Sequence, residues 1–283
     1  MLPHDPLWPR AGDWPAPVVG ERADVAIIGI PTFRTSLSPT HAHSTPLAVR
    51  EALRRYSLET ALRVVDVGDA VDPDHSDATA LVAAINAGVV IAIGGDNCAT
   101  VPAALGRWGA RIDRAGLVTV DAHHDLRDGV SNGSPVRQLL DAGLRGTRVT
   151  QIGIEPLANS RAYRERADAV GITVVLREDL HRRHIADVMV EAIDRAASAG
   201  GPVHVDLDLD VCDRSVVPGC PASVPGGISA AELRAAARAA GSHPAVTSVD
   251  LTEVDATADA SDGRTVRLAA LCVLEIIAGV AGR

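Results

Sequence analysis

Apolar residues in this chain fall into short continuous blocks, separated by stretches where Ala, Leu and Arg recur at helical spacing. The blocks near 24–30, 63–68, 89–94, 116–121, 148–154, 172–176, 202–208 and 246–253 predict β-strands. The block at 89–93 is apolar at every position, the pattern of a strand covered on both faces. Helices are predicted over 46–56, 77–87, 160–170, 185–199 and 229–240. Ser229 stands three residues before Glu232, a capping-box spacing that opens the last of these. Strands alternating with helices imply parallel βαβ units, and hence an α/β fold: a three-layer αβα sandwich around a mostly parallel sheet of roughly eight strands. No linker, repeat or low-complexity block interrupts the pattern, so residues 23–283 are expected to form a single domain. Residues 1–22, with Pro3, Pro6, Pro9, Pro15 and Pro17, read as an irregular N-terminal arm.

Composition narrows the chemistry. Hydrophobic residues make up 47% of the 283, enough for a deep core, but aromatics are only 2%, so that core must be built from Val, Ile, Leu and Ala. The net charge is −9 and no basic run occurs, which argues against nucleic acid as a partner. All 27 basic residues are arginine; the absence of lysine excludes Schiff-base chemistry, a phosphate-loop lysine and pyridoxal attachment. Cys98, Cys212, Cys220 and Cys272 show no CxxC spacing and no disulfide framework. With no signal-like segment and no apolar run of membrane-spanning length, the expectation is a cytoplasmic protein with a small-molecule partner, with homo-oligomer formation left open.

In open parallel sheets ligands bind beyond the carboxyl ends of the strands, and the acidic residues of this chain collect there. After the block at 116–120 come Asp121, Ala122, His123, His124 and Asp125. In an extended chain residues 121, 123 and 125 face one side. Carboxylates forced together repel unless a cation lies between them, and carboxylate oxygens with an imidazole suit Mn²⁺. A solvated polar loop is the plainer reading. The block at 203–207 leads into Asp206, Asp208, Asp210 and Asp213, where alternation again puts alternate carboxylates on one face; a structural calcium loop is the alternative. Gly94-Gly95-Asp96-Asn97-Cys98 follows 89–93, with glycines that permit a tight turn and close backbone approach, although Gly-Gly-Asp is often only a turn. Glu253 follows 246–251. It is either an ordinary ion-pair residue or a receptor for a cationic amidine through paired hydrogen bonds.

Together these segments resemble the ureohydrolase family of arginase, agmatinase and formimidoylglutamase, from about residue 24 to the end. The family carries Gly-Gly-Asp-His, Asp-Ala-His-x-Asp and Asp-x-Asp-x-x-Asp segments followed by a Pro-Gly-rich loop. This chain has Gly94-Gly95-Asp96-Asn97, Asp121-Ala122-His123-His124-Asp125 and Asp208-Leu209-Asp210-Val211-Cys212-Asp213, then Pro218-Gly219 and Pro225-Gly226-Gly227. The resemblance implies an arginase-like fold and two Mn²⁺ ions per chain that activate water for attack on an amidine carbon. Asp121 and Asp208 would bridge the metals, Asp125 would complete the first and His123 and Asp210 the second. Asp125 would also serve the proton transfers, and Glu253 would receive the amidinium. Asn97 stands where the family usually has the first metal's histidine, leaving either its amide oxygen or the Cys98 thiol as ligand. Asn132 stands where arginases place a proton-shuttling histidine, and Cys220-Pro221-Ala222 replaces a Thr-Gly-Thr stretch. Residues 34–40, 49–56 and 119–125 carry a closer likeness to the actinobacterial-type formimidoylglutamase subgroup. That likeness implies hydrolysis of N-formimidoyl-L-glutamate to L-glutamate and formamide. Arg34, Arg127 and Arg137 are then candidate partners for the substrate carboxylates, with Asn132 and Glu253 also in the substrate site. A guanidino hydrolase acting on a modified arginine such as N-omega-hydroxyarginine, and a degenerate non-catalytic binding protein, remain the alternatives.

Overall fold

The computed structural model describes Asp5 and residues 7–283. Eight strands form one sheet: β1 (Ala23–Ile30), β2 (Val64–Asp69), β3 (Ala87–Gly94), β4 (Gly116–Val120), β5 (Val149–Ile154), β6 (Thr173–Leu176), β7 (Val203–Asp208) and β8 (Val246–Thr252). Their order is β2-β1-β3-β8-β7-β4-β5-β6, and every pairing is parallel. The predicted sheet was mostly parallel; the observed one is wholly so. All eight predicted strands form: the central ones are buried on both faces, while the edge strands β2 and β6 are only partly buried.

Five helices correspond to the predicted ones: α1 (Thr45–Leu53), α2 (Ala78–Ala84), α5 (Arg161–Val170), α6 (Ile185–Ala196) and α7 (Ala230–Ser242). The Ser229–Glu232 capping box forms at the start of α7. Three more helices were not predicted: α3 (Thr100–Trp108), α4 (Pro135–Asp141) and α8 (Arg264–Ala281). Helices α1, α6, α7 and α8 cover one face of the sheet, meeting Val25, Ile27, Ile91, Val205 and Val249. Helices α2 to α5 cover the other, meeting Ala26, Ile28 and Val90 on one side and Leu117 and Val149 on the other. The described part of the arm carries no helix or strand segment; it is tied down by Ala11 N–H to the Tyr56 carbonyl at 2.9 Å and by Asp66 N–H to the Pro15 carbonyl at 2.9 Å.

On the α2–α5 side the apolar face is interrupted at its centre. Register sets Thr119 of β4, Asp206 of β7 and Asp250 of β8 side by side. One step further back, His204 of β7 sits opposite Ser248 of β8. All five are almost completely buried. His204 Nδ1 lies 2.7 Å from Ser248 Oγ and Nε2 lies 3.2 Å from Asp250 Oδ2. This polar tier lies directly below the strand ends that carry the acidic motifs.

Candidate metal centre

Beyond β4 the chain leaves the sheet, and Asp125 takes a left-handed backbone conformation with φ 53°. This turn, rather than continued strand alternation, aims Asp121, His123 and Asp125 together. Beyond β8, Glu253 is also left-handed, with φ 63°. Each such residue costs about 1–3 kcal/mol of backbone strain and persists only where its surroundings enforce it. For Glu253 the enforcing contact is its N–H on the Gly95 carbonyl at 3.0 Å. Gly95 itself cannot carry a side chain, because a Cβ would fall 2.0 Å from the Thr32 carbonyl oxygen.

His123 Nδ1 lies 3.0 Å from Asp210 Oδ2 and 3.4 Å from Asp121 Oδ1. One donor atom from each of these three residues lies within 4.8 Å of the others. Asp208, the last residue of β7, accepts the Asp210 N–H at 2.8 Å, while Asp121 accepts the His123 N–H at 2.6 Å. Asp121 Oδ2 and Asp210 Oδ1 are buried without a hydrogen-bond partner. Asp125, Asp208 and Glu253 share the same cavity, of about 160 Å³.

Five carboxyls thus converge in one buried corner with one imidazole for balance. Burial, with Asp210 beside it, pushes Asp121 up to about 6. Burial lifts Glu253 to about 8, and raises Asp125 and Asp208 well above the carboxylate range. The Asp210 carboxylate raises His123 to about 12; burial opposes the charge on Asp210, but the imidazolium outweighs it and holds Asp210 low. Protonated groups here occupy the role a divalent cation would fill. Partnerless carboxylate oxygens and an imidazole nitrogen fit Mn²⁺.

The remaining predicted residues separate. Asn97 faces the centre, with Nδ2 2.5 Å from Asp125 Oδ2 and its backbone N–H 2.8 Å from Glu253 Oε1. Cys98 turns away, its Sγ 3.0 Å from Thr35 Oγ1 and its thiol pushed up by burial. Asp96 caps the turn, accepting the Cys98 N–H at 3.1 Å. Asp213 also holds a turn, with Oδ1 on the Ser215 N–H and Oδ2 on the Gly226 N–H. Asn132 spends both ends of its amide: Oδ1 accepts from Leu37 N–H at 3.0 Å and Nδ2 donates to Glu253 Oε1 at 2.8 Å. Arg127 lines the cavity, its guanidinium 5.9 Å from the Tyr163 ring centroid. Arg34 and Arg137 do not line it, contrary to expectation. Arg34 pairs with Asp72 at 3.8 Å, and Arg137 is consumed by Asp141 and by the carbonyls of Arg127 and Gly129. Sequence reasoning missed Asn159 and Tyr163, which line the cavity beyond β5. The strand-end rule pointed at that loop, but it carries no acidic motif.

A family profile described as "Arginase family" matches residues 23–279. The chain is 31% identical to a formimidoylglutamase of Halalkalibacterium halodurans, over 95% of this chain and 92% of that protein. Among solved structures, the formimidoylglutamase of Bacillus subtilis superposes with a TM-score of 0.89 at 27% identity, covering 99% of this chain and 94% of the other. The fold is shared with Trypanosoma cruzi formiminoglutamase, solved with Mn²⁺, at a TM-score of 0.82 and 23% identity over 92% and 94% of the two chains. With the acidic motifs gathered at the carboxyl edge of an eight-stranded parallel sheet, and the match spanning nearly all of it, this chain belongs to the arginase family.

Proposed function

We infer that the protein hydrolyses N-formimidoyl-L-glutamate to L-glutamate and formamide, as a hydrolase of C–N bonds in linear amidines. Two Mn²⁺ ions would be held by this acidic corner, Asp121 and Asp208 serving both, Asn97 and Asp125 one, and His123 and Asp210 the other. When bound, the metals supply a water acidified enough to attack at neutral pH.

The observation that carries the substrate assignment is a carboxyl and an arginine on the wall of one cavity, Glu253 and Arg127. Glu253 is matched to a cationic amidine and Arg127, which makes no ion pair among the described residues, to a carboxylate. Glu253 Oε1 already accepts two hydrogen bonds, from Asn97 N–H and Asn132 Nδ2. Oε2 is therefore the atom that receives the substrate N–H, so recognition is through one oxygen and not the paired bonds expected from sequence. Asn132 cannot shuttle a proton, because a neutral amide does not titrate near neutral pH; it holds Glu253 through one N–H instead. Asp125, a carboxyl on the wall of the same cavity, is the group that takes a proton from the attacking water and returns it to the glutamate nitrogen as the C–N bond breaks.

The test is a product assay on the Mn²⁺-loaded chain with formimidoylglutamate, arginine and N-omega-hydroxyarginine. Release of formamide and glutamate supports the assignment. Release of urea or hydroxyurea in its place overturns it, and no turnover of any amidine would leave a binding protein.

A further inference from the structure

Thr252, the last residue of β8, stands between the metal-facing amide and the buried polar tier. Its hydroxyl oxygen lies 3.3 Å from Asn97 Oδ1 and 3.3 Å from Asp206 Oδ1. A threonine hydroxyl has one proton and both neighbours, as placed, are acceptors, so it can serve only one of them. Asn97 Oδ1 has a second donor, the Thr100 hydroxyl at 2.7 Å. Asp206 is buried beside Asp250, and among the described residues no donor other than Thr252 reaches its Oδ1, while its Oδ2 has no partner. Asp206 Oδ1, the oxygen with no other donor, therefore has the stronger claim on the proton, since Asn97 Oδ1 keeps the Thr100 hydroxyl without it. With that proton directed at Asp206, Thr252 turns a lone pair toward Asn97. A lone pair is complemented by the amide nitrogen, not by the amide oxygen.

We propose that Asp206, acting through Thr252, is a positioning residue that turns the Asn97 amide so that its oxygen faces the metal. The two ends of an amide differ in chemistry but hardly in shape, so packing cannot choose between them; hydrogen-bond partners must. With Nδ2 toward Thr252, Oδ1 would meet Asp125 Oδ2 across the 2.5 Å now spanned by a hydrogen bond. Two acceptors at that separation repel unless a cation draws both, which is the arrangement of a shared metal ligand pair. Without metal the nitrogen faces Asp125; with metal the oxygen does, the Thr100 hydroxyl then accepting from the amide nitrogen where it now donates to the oxygen, and Asp206 lowers the cost of that turn. Asp206 is thereby assigned a role although it does not belong to the cluster of Asp121, His123 and Asp210.

This proposal rests on Asn97 being a metal ligand, and the test separates the two claims. Mn²⁺ binding to the full metal-free chain is measured by calorimetry for the wild type, Thr252→Val, Asp206→Asn and Asn97→Ala, with Thr252→Val repeated in an Asn97→Asp background. A carboxylate has oxygen at both ends, so Asn97→Asp leaves nothing to orient. Thr252→Val and Asp206→Asn should each weaken one of two sites by about tenfold, the upper scale of one ordinary hydrogen bond, and leave the other within about twofold. In the Asn97→Asp background Thr252→Val should cost less than about twofold. Equal losses in both backgrounds, or wild-type binding by the variants that fold, overturn the proposal. If Asn97→Ala loses a metal while Thr252→Val and Asp206→Asn do not, only the positioning role falls. If Asn97→Ala keeps two tight metals, both claims fall.

Discussion

Stripping the metal should invert the ordinary dependence of stability on pH. In the metal-free chain Glu253 is raised from 4.5 to about 8 and Asp121 from 3.8 to about 6, both chiefly by burial. The folded state then keeps protons that the unfolded chain has released, so stability is fully present below pH about 4 and drains away as pH climbs through 6 toward 8. The rise at Glu253 alone corresponds to ~5 kcal/mol. Asp121 shares the same field, so its shift does not simply add. His123, held protonated up to about 12 beside Asp210, acts in the same direction above pH 6.5. Asp210 is held low, and its contribution is lost only below pH about 4, outside this window. For a chain of this size 1 kcal/mol moves Tm by about 2–4 °C, so the metal-free protein should melt roughly 10–20 °C lower at pH 8 than at pH 5. Mn²⁺ replaces the protons as counter-charge, and its gain in Tm should be larger at pH 8 than at pH 5. Scanning calorimetry after exhaustive chelation, with and without excess Mn²⁺, measures both slopes, and Glu253→Gln should flatten the metal-free one. A metal-free Tm that is flat or rises across this range would refute the reasoning.

Glu253→Gln keeps the shape of the side chain and the Asn97 and Asn132 contacts, but removes the charge; kcat/KM for formimidoylglutamate should fall roughly 100-fold or more, and an unchanged value would make the residue structural. Arg127→Ala should raise KM about tenfold with kcat within about twofold, and the effect should vanish for an amidine lacking carboxylates. Asp208→Ala removes the strand-end carboxylate shared by both proposed metals, so turnover and tight Mn²⁺ binding should disappear together; an active variant sinks the site. Gly95→Ala drives a Cβ into the Thr32 carbonyl and pushes Glu253 off its backbone tie, at a cost of about 1–3 kcal/mol, read as a lower Tm together with a loss of kcat/KM.

Every strand was legible in the sequence because each is a short segment rich in Val, Ile or Leu, too short for a helix and bounded by turn residues, even where β7 and β8 alternate with polar positions. Helix α8 was not, although it is the longest: 11 of its 18 residues are buried, so no polar stripe marks its period. Helix α4 has only seven residues, and its start at Pro135 after Ser134 was its only signal. The order of the strands leaves no trace in local pattern. That the acidic motifs converge was legible through their spacing, but spacing gives a face and not a height. Asp206 and Asp208 lie on one face, yet two residues along a strand separate them by about 6.6 Å, which puts Asp206 in the buried tier and Asp208 at the rim. The arginines could not be sorted at all, since which of Arg34, Arg127 and Arg137 is left unpaired depends on Asp72, Asp141 and two carbonyls that only the fold brings near.

The place of β8 in the sheet has a consequence for how the chain is made. It is the last strand in sequence, but it lies between β3 and β7, so it joins two half-sheets: β2-β1-β3 and β7-β4-β5-β6. Until residues 246–252 emerge during synthesis, each half presents an open strand edge to the other and to neighbouring chains. Asp121, Asp125, Asp208 and Asp210 all belong to the second half, whereas Asn97 belongs to the first and Glu253 to the closing strand. A nascent chain can thus gather most of the carboxylates of this corner before it can close its sheet. A chain interrupted short of β8 would keep those carboxylates, lack Glu253, and carry two unpaired parallel edges prone to association.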